Sequence, residues 1–88
     1  MNSADLAALA ETTGAMLQCT GRVLVTAESC TGGWVAKLIT DVGGSSAWFD
    51  RGFVTYSNDA KQEMLGVEAA TLAVHGAVSE ATVCEMAR

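Results

Sequence analysis

Proline is absent from this 88-residue sequence, and positive charge and histidine are scarce. Five lysines and arginines stand against ten acidic residues, which gives a net charge of −5 at pH 7. A chain without a basic patch is not expected to bind nucleic acid as its main partner. The one histidine, His75, lies far along the chain from the serine considered below, in a turn between predicted helices. We therefore expect it to cap a helix C-terminus rather than to form a Ser-His-Asp triad.

Long hydrophobic runs and paired cysteines are also missing. No apolar stretch approaches the roughly 20 residues that span a bilayer, and the N-terminus lacks the basic segment of a signal peptide. We therefore predict a cytoplasmic protein without membrane contact. The three cysteines, Cys19, Cys30 and Cys84, show no C-x-x-C spacing. This pattern favours reduced thiols over a disulfide framework or a zinc site, so we expect no metal and no cofactor. Cys30 is expected to pack behind a turn.

Hydrophobic residues make up 50% of the chain and charged residues 17%. This composition is typical of a folded domain rather than a disordered segment. However, 88 residues bury only a modest fraction of their surface, so a self-sufficient α/β core of this size would be marginal. We interpret residues 1–88 as a single, partial domain.

Hydrophobic spacing and turn residues predict the element order α-β-α-β-α-α-α. Helices are predicted over residues 3–18, 31–40, 59–65 and 68–74, with a last helix from residue 79, and strands over residues 23–27 and 47–56. The predicted N-caps are Ser3, Thr31, Asp59 and Ser79. The first strand is apolar on both faces, as in a parallel sheet covered by helices. The aromatic residues expected in the core are Trp34, Trp48, Phe49 and Phe53.

The segment Glu28-Ser29-Cys30-Thr31-Gly32-Gly33 lies where the first predicted strand meets the second predicted helix. A serine at such a junction is held on a tight turn. The N–H groups of Thr31, Gly32 and Gly33 would then open the helix, where an anion or a developing oxyanion is stabilised. Glu28 would either orient a substrate hydroxyl or serve as a cap or an exposed charge.

A nucleophilic Ser29 would need a base. Lys37 is predicted in mid-helix and is expected to point to solvent. Lys61 is predicted in the first turn of a helix, where the helix dipole disfavours its charge, so function explains its position better than stability does. If the two strands are parallel neighbours, Ser29 and Tyr56 both follow carboxyl ends of strands, where open α/β sheets bind ligands. A Ser-Lys arrangement is thus the better candidate. The alternatives are that Ser29 is a turn hydroxyl, that Tyr56 is a strand-end aromatic and that Lys61 is a solvated charge.

Arg51 lies on the second predicted strand, which suggests two roles. Its guanidinium suits a bidentate contact with a substrate phosphate. An ordinary salt bridge with Asp50 or Glu28 is an equal alternative.

Three ordered blocks, residues 27–33, 44–49 and 52–58 followed by Lys61, resemble the C-terminal domain of the competence/damage-inducible protein CinA. The resemblance covers nearly the whole chain but about the first half of the family domain. It implies a three-layer α/β/α fold, truncated before later strands that family members carry beyond the position of Arg88.

The resemblance also implies an activity, since stand-alone members of the family deamidate nicotinamide mononucleotide to nicotinate mononucleotide and ammonia in pyridine nucleotide recycling. It implies that Ser29 is the nucleophile and that Tyr56 and Lys61 act beside it. We assign Lys61 as the base and Tyr56 as a proton relay or oxyanion donor. Thr31, Gly32 and Gly33 would bind the substrate phosphate or the oxyanion.

Two other functions stay open. The chain could be a shortened, inactive paralogue that serves as a nucleotide-binding or assembly module. It could also be a small phosphate-binding domain without chemistry. The expected partners are a small-molecule nucleotide and a second copy of the chain in a homo-oligomer.

Overall fold

A computed structural model describes residues 2–88 of the chain. In order, the elements are α1 (Ser3–Cys19), β1 (Leu24–Glu28), α2 (Trp34–Thr40), a 3-10 turn (Ser45–Ala47), β2 (Phe49–Val54), α3 (Asn58–Leu65), α4 (Ala69–His75) and α5 (Glu80–Ala87). The predicted order and the mixed α/β class are confirmed. Within residues 2–88, no helix is long and apolar enough to cross a membrane.

The two strands pair with each other in a two-stranded parallel sheet. Leu24 N donates to Trp48 O at 2.7 Å where the strands begin, and Thr55 N donates to Glu28 O at 2.7 Å where they end. Like ends therefore pair with like ends, as parallel strands require. β2 is shorter than predicted at both ends: the 3-10 turn Ser45–Ala47 precedes its start, and the strand ends at Val54 rather than at Tyr56.

The chain divides into two compact units. Unit 1 comprises residues 2–26 and 33–52, and unit 2 comprises residues 27–32 and 53–88. Each strand contributes its first part to unit 1 and its last part to unit 2.

Unit 1 holds an apolar core. Ala10, Ile39 and Trp48 are its buried members, and Leu17, Leu24, Val42 and Phe49 pack against them. Gly14 lies directly beneath Trp48, since a Cβ atom at Gly14 would lie 2.2 Å from the indole ring. Real Cβ atoms do not approach that closely, so α1 needs a glycine here to admit the indole. The large side chain of Trp48 and the missing side chain of Gly14 thus complement each other.

The two tryptophans of unit 1 differ in burial. Trp48 is 3% exposed, as expected of a core residue, but Trp34 is 52% exposed, so the prediction for Trp34 is wrong. Trp34 is the first residue of α2, and the buried residue of that helix is Ile39. Five residues along a helix correspond to a rotation of roughly 140°. Trp34 therefore faces away from the side of α2 that packs on the core.

Two predicted helix N-caps are also wrong, since the caps are Asn2 and Ser57 in place of Ser3 and Asp59. The Asn2 side chain accepts a hydrogen bond from Asp5 N at 2.9 Å. The Ser57 hydroxyl accepts one from Ala60 N at 3.0 Å. In both cases a polar residue just upstream reaches the free N–H groups of the first turn, and the predicted cap becomes a helical residue.

Unit 2 packs α5 against both α3 and α4. Its three most completely buried side chains are polar, namely Thr55, Lys61 and Thr82. Thr82 Oγ1 donates to Gly76 O at 2.7 Å, and Thr82 N donates to Ser79 Oγ at 3.2 Å. Ser79 is therefore the N-cap of α5, as predicted. Hydrogen bonding makes this polar burial tolerable.

Glu85 of α5 supplies the cap that α4 lacks. The N-cap residue of α4, Glu68, makes no side-chain cap bond of its own. Instead, the Glu85 carboxylate accepts from Glu68 N at 2.9 Å and from Thr71 Oγ1 at 2.5 Å. These two bonds, that from the Thr71 hydroxyl first, hold the pKa of Glu85 below its usual value. The carboxylate thus fixes α5 to the start of α4.

Candidate active site

Ser29 follows β1 directly and is half-buried. It lies in a bend, and residues 30–33 form the turn that leads to α2. Tyr56 comes two residues after β2. Because the strands are parallel, both residues follow carboxyl ends of neighbouring strands, as the sequence predicted. Cys30, expected behind the turn, is exposed instead.

The turn does not open the helix in the way predicted. α2 begins at Trp34, its N-cap is Gly33 rather than Thr31, and Gly33 makes no side-chain cap bond. The reason is conformational, since Gly32 and Gly33 have φ values of 62° and 95°. A left-handed backbone cannot continue a right-handed helix, and glycine adopts it readily. Thr31, Gly32 and Gly33 therefore form a turn before α2 rather than its first residues.

Thr31 has a different partner from the one predicted. Its hydroxyl donates to Glu28 Oε1 at 2.6 Å. Glu28 is only 6% exposed, so the alternative in which it is an exposed charge is wrong. The side chains of Glu28 and Thr31 therefore close a loop around the two residues between them, one of which is Ser29.

Lys61 is the most unusual side chain of unit 2. It is 1% exposed, although lysine is among the residues least often buried. Its Nζ donates to Tyr56 O at 3.2 Å and to Ser57 O at 3.5 Å. Within residues 2–88 it forms no salt bridge. The alternative of a solvated charge is therefore wrong for Lys61.

Tyr56 is brought to Lys61 through its backbone rather than its phenol. Its carbonyl accepts from Lys61 Nζ, while the residue as a whole is 76% exposed. The ring is therefore open to a ligand. In the described part of the chain, no hydrogen bond links Lys61 with the Ser29 hydroxyl.

Thr55 is a residue that the sequence analysis missed. It is 0% exposed, and its Oγ1 donates to Glu28 O at 3.3 Å beside the bond from its backbone N–H. No local pattern in the sequence indicated this bond, because its acceptor lies 27 residues away along the chain.

Three other polar candidates lie away from this group. Lys37 is exposed and pairs with Asp41 one turn along α2, in line with the predicted solvent position. Arg51 pairs with Asp50 at 2.7 Å, which was one of its two alternatives. His75 is exposed and is the last residue of α4, at the helix end where it was predicted.

Comparison with known proteins identifies the family of this chain. Residues 6–88 match the CinA C-terminal domain. The chain is 62% identical over 87 residues to the nicotinamide-nucleotide amidohydrolase PncC of Escherichia coli K12, covering 99% of this chain and 53% of that protein. It is 57% identical to a CinA-like protein of Chloroherpeton thalassium, covering 90% of this chain and 19% of that protein.

Solved structures agree with the sequence relatives. The crystal structure of the competence/damage inducible protein CihA from Agrobacterium tumefaciens superposes with a TM-score of 0.92 at 51% identity, covering 94% of this chain and 50% of that one. A CinA superfamily protein from Escherichia coli gives a TM-score of 0.92 at 32% identity, covering 98% and 51%. The chain spans about half the length of the amidohydrolase relatives that it matches. On the match over residues 6–88, the chain belongs to the CinA C-terminal domain family.

Proposed function

We propose that this protein is an amidohydrolase that converts nicotinamide mononucleotide and water to nicotinate mononucleotide and ammonia. One observation carries the proposal, namely the buried amine of Lys61 beside the carboxyl ends of two parallel strands, where Ser29 and Tyr56 follow. A lysine buried without a carboxylate is expensive for stability, and such positions are typical of functional groups. The amidohydrolase relatives support the substrate.

The hydrogen bonds of Lys61 suit the role of a base. A neutral amine has two protons and one lone pair. The carbonyls of Tyr56 and Ser57 lie at 3.2 and 3.5 Å from Nζ and would accept those two protons. The lone pair would remain to take the proton of Ser29 as its oxygen attacks the carboxamide carbon.

The remaining steps follow from acyl transfer. The tetrahedral intermediate expels ammonia, which takes its third proton from Lys61, and leaves an ester on Ser29. Water then attacks that ester while Lys61 accepts one of its protons. Lys61 returns this proton to the Ser29 oxygen as the carbon–oxygen bond breaks, which frees the serine and releases the nicotinate. The exposed Tyr56 hydroxyl would relay a proton or donate to the oxyanion. The N–H groups of Thr31, Gly32 and Gly33 would bind the oxyanion or the substrate phosphate.

The test is ammonia release from nicotinamide mononucleotide by the purified chain. Ser29→Ala and Lys61→Met are expected to lower turnover by at least about 10³-fold. Lys37→Met is the matched control, because Lys37 is exposed and pairs with Asp41 on the surface of α2. Each variant should keep the circular dichroism spectrum of the wild type. Wild-type turnover in Ser29→Ala would overturn the serine assignment.

A second candidate is a catalytically inactive module that binds nucleotide or assembles with other chains. The observation that favours it is that the chain matches about half the length of the amidohydrolases. A folded chain that binds nicotinamide mononucleotide but releases no ammonia would support this candidate against the first.

Association into a homo-oligomer is part of either proposal. Val74 and Val78 of unit 2 are 76% and 85% exposed, and exposed apolar side chains favour burial against another chain. Light scattering at micromolar concentration should give more than the monomer mass of 9.1 kDa. A monomer mass would contradict the oligomer.

A further inference from the structure

Glu28 joins two parts of the candidate site through two different groups. Its side-chain Oε1 accepts from Thr31 Oγ1 at 2.6 Å. Its backbone O accepts from Thr55 N at 2.7 Å and from Thr55 Oγ1 at 3.3 Å. Ser29 is the next residue after Glu28, and Tyr56 is the next residue after Thr55. The contact between Glu28 and Thr55 therefore lies one residue before Ser29 on one side and one residue before Tyr56 on the other.

Both residues of this connection are buried. Glu28 is 6% exposed and Thr55 is 0% exposed. A carboxylate loses much hydration in such a place and is stabilised there by its hydrogen bonds. Bonds shielded from water are also stronger than the same bonds on the surface. Neither side chain can swing away without leaving a buried polar group unsatisfied.

The connection continues to the lysine. The carbonyl of Tyr56 accepts from Lys61 Nζ at 3.2 Å. The bonds from Thr55 to Glu28 O hold the backbone at Thr55 in place. The carbonyl of the next residue, Tyr56, accepts the hydrogen bond from the Lys61 amine. The chain of contacts runs from the Thr31 hydroxyl to the Glu28 carboxylate, across the strand pair to Thr55, and on to Lys61.

We propose that Glu28 and Thr31 form a positioning pair that, through Thr55, sets the place of Ser29 relative to Tyr56 and Lys61. The proposal rests on the proposed function of the same site. Displacement of reacting groups by about 1 Å can lower a rate by about 10²-fold. A carboxylate that orders the turn around Ser29 therefore has a catalytic consequence without touching the substrate.

The bond between Glu28 and Thr31 also determines which hydrogen bonds the Thr31 hydroxyl can make with a ligand. A threonine hydroxyl has one proton, and in this structure that proton goes to Glu28 Oε1. The hydroxyl is then an acceptor toward any ligand and is not a donor for an oxyanion or a phosphate. Anion binding by this turn is left to its backbone N–H groups.

Four variants test the pair. Glu28→Gln keeps the size of the side chain but removes its charge, and Thr31→Val keeps the shape of the side chain but removes the donor. Thr31→Ser restores the hydroxyl. Thr12→Val is the control, since the Thr12 hydroxyl bonds within α1 of unit 1, to Ala8 O at 3.0 Å.

Two readouts are needed. In the deamidation assay, Glu28→Gln and Thr31→Val should each lower kcat by about 10²-fold with little change in KM. Thr31→Ser should recover most of the activity that Thr31→Val loses, and the control Thr12→Val should stay near the wild type. The effects should be less than additive in the double variant, because Thr31→Val removes the bond between the two side chains and Glu28→Gln weakens that same bond by removing the charge of its acceptor. A Glu28→Gln enzyme with wild-type kcat would overturn the proposal.

The second readout does not depend on turnover, so it separates this proposal from the proposed function. In NMR spectra of the labelled chain, Glu28→Gln and Thr31→Val should shift the amide signals of Ser29 and Tyr56 and the Nζ signal of Lys61. Thr31→Ser should restore them. If shifts stay confined to residues 28–33, the pair does not reach the lysine and the proposal fails, whether or not the chain is active. If the shifts reach Lys61 in a chain without turnover, the positioning stands and the proposed function fails.

Discussion

The buried side chains of unit 1 that form its core are Ala10, Ile39 and Trp48, whereas the most completely buried side chains of unit 2 are Thr55, Lys61 and Thr82. Apolar burial stabilises without regard to direction, in proportion to the area removed from water. Polar burial stabilises only where each group meets a partner at the right distance and angle. Unit 1 is therefore stabilised by an apolar core, whereas unit 2, which also buries Val67 and Met86, adds buried polar groups whose hydrogen bonds fix their positions.

The residues proposed for chemistry follow this division. Ser29, Tyr56 and Lys61 all belong to unit 2. A buried amine and a buried carboxylate lower the stability of the unit that contains them unless their bonds are complete. In unit 2 the Thr31 hydroxyl donates to the Glu28 carboxylate, and the backbone carbonyls of Tyr56 and Ser57 accept from the Lys61 amine.

The largest expected effect comes from the core of unit 1. Trp48→Ala should lower the free energy of unfolding by about 3–5 kcal/mol, because it removes a buried indole and leaves a cavity above Gly14. Trp34→Ala removes the same side chain from an exposed position, and it should change stability by no more than about 0.5 kcal/mol. Urea denaturation followed by circular dichroism measures both. Equal losses in the two variants would contradict the apolar core described for unit 1.

The contrast between these tryptophans also shows which feature of the fold could not be predicted from the sequence. Periodicity placed both on elements that pack, and the intrinsic preference of an indole for burial is the same at both positions. Which one is buried depends on the face that α2 turns toward α1, and that face is set by packing around Ile39. The local pattern of a seven-residue helix does not determine it.

The candidate site divides in the same way. The strand-to-turn junction at Ser29 and the position of Tyr56 after the next parallel strand follow from local pattern and the geometry of parallel sheets. The burial of Lys61 and the bond from Thr55 to Glu28 do not. Glu28 and Thr55 lie 27 residues apart, and no periodic signal in either segment refers to the other. The role of Thr31 was missed because left-handed glycines move the helix start to Trp34.

Two buried threonines, one in each unit, test the comparison of the units, and the expected change in the free energy of unfolding is of intermediate size. In the described residues, the buried Thr26 hydroxyl of unit 1 has no hydrogen-bond partner, whereas Thr55 of unit 2 donates to Glu28 O. Valine has nearly the same shape as threonine. Thr26→Val should raise the free energy of unfolding by about 1 kcal/mol, and Thr55→Val should lower it by about 1 kcal/mol. Changes of the same sign in the free energy of unfolding of the two variants would mean that the two hydroxyls are in equivalent environments.

The smallest effect is expected at Glu85, and it depends on pH. The hydrogen bonds from Thr71 and from Glu68 N lower the pKa of Glu85 in the folded chain below the ordinary value of 4.5. A carboxyl group with a lowered pKa in the folded state adds stability that is complete above its unfolded pKa and is lost as the pH falls through its folded pKa. Glu85→Gln should therefore be less stable than the wild type near pH 7, and the difference should shrink in acid. Glu63→Gln removes an exposed carboxylate from α3 and is the control for the loss of one charge. Thermal unfolding between pH 7 and pH 3 measures the stability difference of each variant from the wild type. A difference for Glu85→Gln that stays constant over that range would show that the carboxylate does not hold α5 to the start of α4.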